Sequence, residues 1–150
     1  MLLDTTYFSK ENKELILELV GKPISFFQKI KMGGIGSKRL MIQEVSQDFQ
    51  NLVNRVSDIN YANIEIRPAG ILVMINKGLR NFTWVIPFYQ LSFYNTSNVS
   101  IHAQGKFIRF RRNKNHTENK KFFQKMMSHK IEFEKDSRID GSYDYHLTRR

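Results

Sequence analysis

The sequence predicts an α+β fold with N-terminal helices, a bent antiparallel sheet or partly open barrel of six or seven strands, and a C-terminal helix. Three observations lead to this class. Apolar residues recur at helical spacing in the first sixty residues. Between residues 61 and 110, short runs of alternating apolar and polar residues are separated by turn residues. An amphipathic stripe from Asn119 to Ile131 follows, and 150 residues suffice for a single domain.

Residues 1–60 are predicted to be the helical part of the chain. Ser9 is a suitable N-cap for a helix whose apolar positions end at Val20, and Gly21 is a suitable terminator. A second, shorter helix is favoured within residues 24–32, where apolar side chains again recur at helical steps, and a strand or an irregular segment is the alternative.

A third helix of about five turns is predicted from Ser37 to Val56, because apolar residues recur there at steps of three and four. The glycine-rich residues 33–37 precede it. Glycines before a helix N-terminus are typical of phosphate-binding loops. The Lys-Ser/Thr pair at Walker spacing is missing, so a flexible connector is the favoured interpretation.

Residues 61–131 are predicted to form a β-rich core with a closing helix. Turns at Pro68–Gly70 and at Lys77-Gly78 separate three alternating or apolar runs. Pro87 marks an edge or a corner, because proline cannot donate a ladder hydrogen bond. The aromatic residues around Trp84 are expected to pack in the core.

The segment Val99–Arg112 reads as a hairpin with Gln104-Gly105 as a two-residue turn. This register pairs Ala103 with Lys106, Ile101 with Ile108 and Val99 with Phe110, so that one face is apolar. The opposite face then carries Ser100, His102, Phe107, Arg109 and Arg111.

The C-terminal helix is expected to begin after Asn115, a suitable N-cap, with Glu118 completing a capping box. Its apolar stripe includes Phe122, Phe123 and Met126. Residues 132–150 are rich in charge and poor in apolar side chains. We therefore expect a polar tail that is loosely held beyond about residue 134.

The composition restricts the class of protein. Hydrophobic residues make up 41% and charged residues 25% of the chain, as in ordinary globular proteins. The lack of cysteine removes disulfides and thiolate catalysis. The longest apolar run, residues 71–75, is too short to span a bilayer. We expect a cytoplasmic protein, with peripheral attachment to a membrane as an alternative location.

Positive charge is concentrated near the C-terminal end of the sheet. Of the net charge of +10, residues 106–130 contribute 9 Lys/Arg against the single acid Glu118. Such a concentration attracts anions, so the sequence predicts a binding module for an acidic protein or an anionic phospholipid headgroup. The alternative interpretation is a solvated charged surface that contributes only to solubility. The candidate anion-binding residues are Lys106, Arg109, Arg111, Arg112, Lys114, Lys120 and Lys121.

Phe107 offers two interpretations. Aromatic side chains beside arginines stack on single-stranded nucleic acid, which makes nucleic acid the alternative partner, with Arg109, Arg111 and Lys114 on its phosphates. The other interpretation, burial of Phe107 under the N-terminal helices, is favoured because amphipathic helices must cover an apolar surface.

Enzymatic motifs are absent from the sequence. The four histidines show no metal-ligand spacing, and Glu65 is the only acid within the predicted sheet. His102 shares a strand face with Ser100 but has no carboxylate partner. We therefore expect a noncatalytic protein, and the sequence implies no cofactor.

The meander with one closing helix resembles the pleckstrin-homology-like superfold, including its small bacterial domains, over residues 62–131. The resemblance rests on the segment from Phe82 to Leu91, on Ser100–Phe107 and on the final helix. It implies a bent sheet closed by that helix. In lipid-binding members a Lys followed by Lys/Arg-x-Arg lies on the first hairpin, whereas the similar set here, Lys106, Arg109 and Arg111, lies on the last.

Overall fold

The computed structural model describes residues 1–53, 60–112 and 117–139, the last three of these as backbone only. Its helices are α1 (Lys10–Val20), α2 (Phe26–Met32) and α3 (Lys120–Ile139). Short 3₁₀ helices span Gln47–Leu52 and Phe88–Gln90. The strands are β1 (Leu2–Asp4), β2 (Leu40–Val45), β3 (Tyr61–Arg67), β4 (Gly70–Lys77), β5 (Arg80–Pro87), β6 (Ser92–Asn95), β7 (Val99–Ala103) and β8 (Lys106–Phe110).

The described strands form one antiparallel sheet in the order β1-β5-β4-β3-β2-β8-β7-β6. The α+β class, the antiparallel sheet and the C-terminal helix are confirmed, with eight strands rather than six or seven. Strand β2 joins the two halves, because Leu40 pairs with Ala62 of β3 while Ile42 pairs with Phe110 of β8. Strand β2 is therefore the strand that both halves of the sheet share.

The helix predicted from Ser37 to Val56 is wrong, and residues 1–60 are accordingly not all helical. The described part of this segment forms β2 and a 3₁₀ helix, while Val56 lies outside the described residues. A bulge between Ile42 and Glu44 shifts the strand alternation by one residue. The bulge and the 3₁₀ turn together bring Val45 and Phe49 into the core, and this spacing imitates a helical period.

The Val99–Arg112 hairpin has the predicted register, with Ala103 opposite Lys106 and Ile101 opposite Ile108. Gln104 and Gly105 have φ values of 56° and 76°, as a tight turn of this kind requires. The unusual conformation of Gln104 is fixed by its side chain, which accepts a hydrogen bond from Trp84 Nε1 at 3.1 Å.

Helices α1 and α3 lie on different parts of the sheet. Ser9 caps α1 and Gly21 ends it, as predicted, and Val20 packs with Leu72 and Val85. Helix α3 instead inserts Phe123 and its apolar neighbours into the main core. It continues to Ile139, so the helix extends beyond the predicted start of the tail at residue 132, and residues 140–150 lie outside the described residues.

Candidate anion-binding surface

Three separate segments bring cationic side chains together at one end of the sheet. The backbone N–H of Arg111, just after β8, donates to the carbonyl of Met41 in β2 at 2.9 Å. The backbone N–H of Lys38 donates to Asn119 Oδ1 at 2.8 Å, which ties the start of α3 to the residues before β2. We call the resulting set the basic end; it comprises Lys38, Arg39, Arg111, Arg112, Lys120 and Lys121.

The basic end is exposed and contains little negative charge. All six side chains are exposed to solvent. Within residues 37–41, 110–112 and 117–121, the only acid is Glu118. The guanidinium of Arg112 donates to Asn95 Oδ1, and that of Arg39 lies 4.4 Å from the ring centroid of Tyr61. These contacts help to orient the two guanidinium groups at the surface.

The seven residues predicted to bind an anion therefore do not all lie together. Four of them belong to the basic end: Arg111, Arg112, Lys120 and Lys121. Lys106 lies at the turn of the hairpin, five residues and about 17 Å from Arg111 along the strand. Lys114 lies outside the described residues.

Arg109 lies between these two positions and is paired with an acid. Its guanidinium donates to the carboxylate of Glu44 on β2, with the side chains 36% and 52% exposed respectively. The same guanidinium lies 5.6 Å from the ring centroid of Phe107. Among the predicted anion-binding residues that the structure describes, Arg109 consequently contributes least to the attraction of an anion.

The outer face of β6, β7 and β8 carries a row of aromatic rings. The ring centroids of Tyr94 and His102 lie 5.1 Å apart, edge to face. Those of His102 and Phe107 lie 5.5 Å apart with an interplanar angle of 25°. We call Tyr94, His102 and Phe107 the ring ladder. A shallow depression of about 440 Å³ beside it is lined in part by Lys106 and Phe107.

Phe107 is half-buried, so the expectation that the N-terminal helices bury it is wrong. The reason is that α1 packs on the β4–β5 half, against Leu72 and Val85. Burial, assisted by the charge of Arg109, lowers the pKa of His102, whose Nε2 lies 3.1 Å from Ser100 Oγ.

The glycine-rich loop has no phosphate-binding geometry, because a strand and not a helix follows it. Its backbone is engaged with β3, where Ile66 N–H donates to Ile35 O at 2.8 Å. Lys125 Nζ donates to Gly34 O at 2.9 Å, which anchors the loop to α3. The loop acts as a fixed connector between α2 and β2.

Within the described ranges, no group of three or more His, Asp or Glu side chains could hold a metal ion. No helix in the described part of the chain is both long and apolar enough to cross a membrane. Comparison with protein-family models, curated proteins and solved structures gives no significant match to this chain.

Sequence reasoning missed Lys38 and Arg39, because it placed both on the surface of a helix. Their proximity to Arg111 depends on pairing between β2 and β8, which are separated by more than sixty residues in sequence. The local sequence carried no alternation that would have indicated a strand, because residues 40–42 are all apolar and fit the longer helical pattern.

Proposed function

We propose that this protein is a noncatalytic binding module whose basic end docks on a bilayer containing anionic phospholipids. The observation that carries the proposal is the convergence of six exposed cations from three segments, with Glu118 as the only acid among them. Each Lys or Arg near an anionic membrane surface contributes about 1 kcal/mol of attraction. Several such residues give useful affinity without any enclosed pocket.

A bilayer suits this surface better than a single small anion. The cations project from a loop, a strand end and a helix start, so they spread over an area and do not surround one point. Spread charge of this kind matches the diffuse field of a lipid surface. An acidic protein would also match the charge, and the experiment below separates it from lipid.

A pleckstrin-homology-like fold is the second part of this proposal. In its support, β2–β5 form a four-stranded meander, β6–β8 form a three-stranded one, and β2 joins them by pairing with both β3 and β8. Helix α3 then packs its apolar stripe into the core between the halves. Strand β1 and helices α1 and α2 are additions to that arrangement.

Co-sedimentation with phosphatidylcholine vesicles, with and without phosphatidylglycerol, tests the proposal. Wild-type protein is expected to sediment only with the anionic vesicles. Lys120→Glu plus Lys121→Glu removes two cations and adds two anions. At about 1 kcal/mol per charge, binding weakens between about thirty-fold and about a thousandfold.

The matched control is Lys10→Glu plus Lys13→Glu. Both pairs are exposed lysines in the first turn of a helix, where added carboxylates interact favourably with the helix dipole. Neither double substitution should therefore impair folding. The control makes the same change in net charge away from the basic end. Equal weakening by both pairs, or no wild-type binding to anionic vesicles, contradicts the proposal and leaves an acidic protein as the partner to test.

Single-stranded nucleic acid is a second candidate partner, favoured by the ring ladder on the outer sheet face. Half-exposed aromatic rings beside Lys106 and Arg109 offer stacking and phosphate contacts on one surface. A fluorescent oligonucleotide should then bind with a log affinity that falls linearly with log salt concentration. The absence of any salt-sensitive binding removes this candidate.

A further inference from the structure

Helix α2 directs its most apolar side chains toward solvent. Phe26, Phe27 and Ile30 are 71%, 80% and 63% exposed, and none of the residues of α2 is buried. An amphipathic helix in a water-soluble domain normally turns such a stripe inward. The stripe therefore needs an explanation beyond the packing of this domain.

The opposite side of α2 is the one that faces the protein. Met32 packs against the core, and together with Gln28 it lines a groove that also contains His129 of α3. At about 100° per residue, Phe26, Ile30 and Phe27 occupy the far side of the helix. Lys29 and Lys31 flank this apolar stripe, one on each edge.

An apolar stripe flanked by lysines on both edges is typical of a helix that lies in a membrane interface. The apolar stripe enters the boundary between headgroups and acyl chains, while flanking lysines extend to the phosphates. Both ends of α2 are fixed, since Ser25 Oγ accepts from Gln28 N–H at 3.4 Å and the N–H of Gly33 donates to Ile30 O at 3.1 Å. The helix is thus formed before any contact with lipid.

The position of α2 relative to the basic end supports the same partner. The chain from α2 to β2 runs alongside α3: α2 shares a groove with His129, and the residues that follow are hydrogen-bonded to Lys125 and then to Asn119. The ten residues from Asn119 to His129 span about 15 Å of helix. The basic end and α2 therefore lie about 15 Å apart along α3, a separation that one lipid surface can span.

We propose that α2 inserts Phe26, Phe27 and Ile30 into the interface of an anionic bilayer. This inference rests on the proposed function, because the basic end supplies the electrostatic attraction. It adds a hydrophobic contact that salt does not screen. The insertion distinguishes a lipid bilayer from every other anionic partner.

Two variants and a label test the insertion. Phe26→Ser plus Phe27→Ser is expected to weaken binding to phosphatidylglycerol-containing vesicles by roughly tenfold or more, with most of the loss persisting at high salt. Leu79→Ser, which removes a side chain that is 95% exposed in the turn between β4 and β5, is the control. Far-UV circular dichroism checks that both variants fold like wild type.

The chain lacks cysteine, so Ile30→Cys provides a unique attachment point for an environment-sensitive fluorophore. Its emission should shift to the blue with anionic vesicles, whereas the same label at Leu79→Cys should not shift. Wild-type sedimentation without a label shift, with the double serine variant binding equally well, overturns the insertion and leaves the proposed function intact. Absence of wild-type sedimentation overturns both. Concentration-dependent dimerisation that the double serine variant abolishes also overturns insertion, because a second copy then covers the stripe.

Discussion

Replacing Glu44 with Gln tests whether the outer face of β8 takes part in binding. The carboxylate of Glu44 accepts from the guanidinium of Arg109, and the two side chains are about half and one third exposed. Exposed ion pairs contribute about 0.2–1 kcal/mol to stability. For a chain of this length, a loss of 1 kcal/mol lowers the melting temperature by about 2–4 °C. The isosteric amide should therefore leave the fold nearly unchanged.

Glu44→Gln should change the affinity for a single-stranded oligonucleotide more than it changes the stability of the fold. Without the carboxylate, Arg109 offers its full charge beside the ring of Phe107, 5.6 Å from the ring centroid. One additional phosphate contact makes the slope of log affinity against log salt steeper by about 0.7. Fluorescence anisotropy titrations at several salt concentrations measure this slope. Glu14→Gln, an exposed position on α1, is the control because it makes the same change in net charge.

Two results would refute this reasoning. If Glu44→Gln and Glu14→Gln give the same affinity and slope, the outer face of β8 does not contact the oligonucleotide, and the nucleic acid candidate loses its support. If Glu44→Gln lowers the melting temperature by more than about 8 °C, the ion pair is stronger than its exposure implies.

Three further predictions concern stability. Gly70→Ala should destabilise the protein by at least about 2 kcal/mol in urea titrations, because the new Cβ would collide with the carbonyl oxygen of Ile86. Phe49→Ala should cost about 3–5 kcal/mol in the same assay, since this fully buried ring lies 4.8 Å from that of Trp84. His102→Gln should lose less stability than wild type as the pH falls below 6.5, because burial and a nearby guanidinium lower the pKa of His102 in the folded state. The stabilising contribution of neutral His102 is present above pH 6.5 and is lost as acid protonates the ring. Urea midpoints at two pH values measure this loss.

Local patterns predicted those parts of the fold in which neighbouring residues decide the structure. The register of the Val99–Arg112 hairpin follows from alternation and a two-residue turn. The bounds of α1 follow from Ser9 and Gly21. In both cases, the residues that specify the element lie within it.

Patterns that depend on distant partners were misread. Residues 40–45 form a strand because the edges of β3 and β8 both need a partner, and neither edge is visible from within that segment. The periodicity of α2 showed that one side is apolar. It could not show that Phe27 faces solvent, because that depends on where Met32 packs.

Strand β2 affects the charge of both candidate surfaces. At its first end it brings Lys38 and Arg39 beside Arg111, which adds two cations to the basic end. Its middle brings Glu44 against Arg109, and this ion pair offsets most of the positive charge that Arg109 places beside the ring ladder. The same pairing thus strengthens one candidate surface and weakens the other. Because potential depends on the local sum of charges, this pairing favours the basic end over the ring ladder as the proposed anion-binding surface, even though Arg109 and Arg111 are only two residues apart.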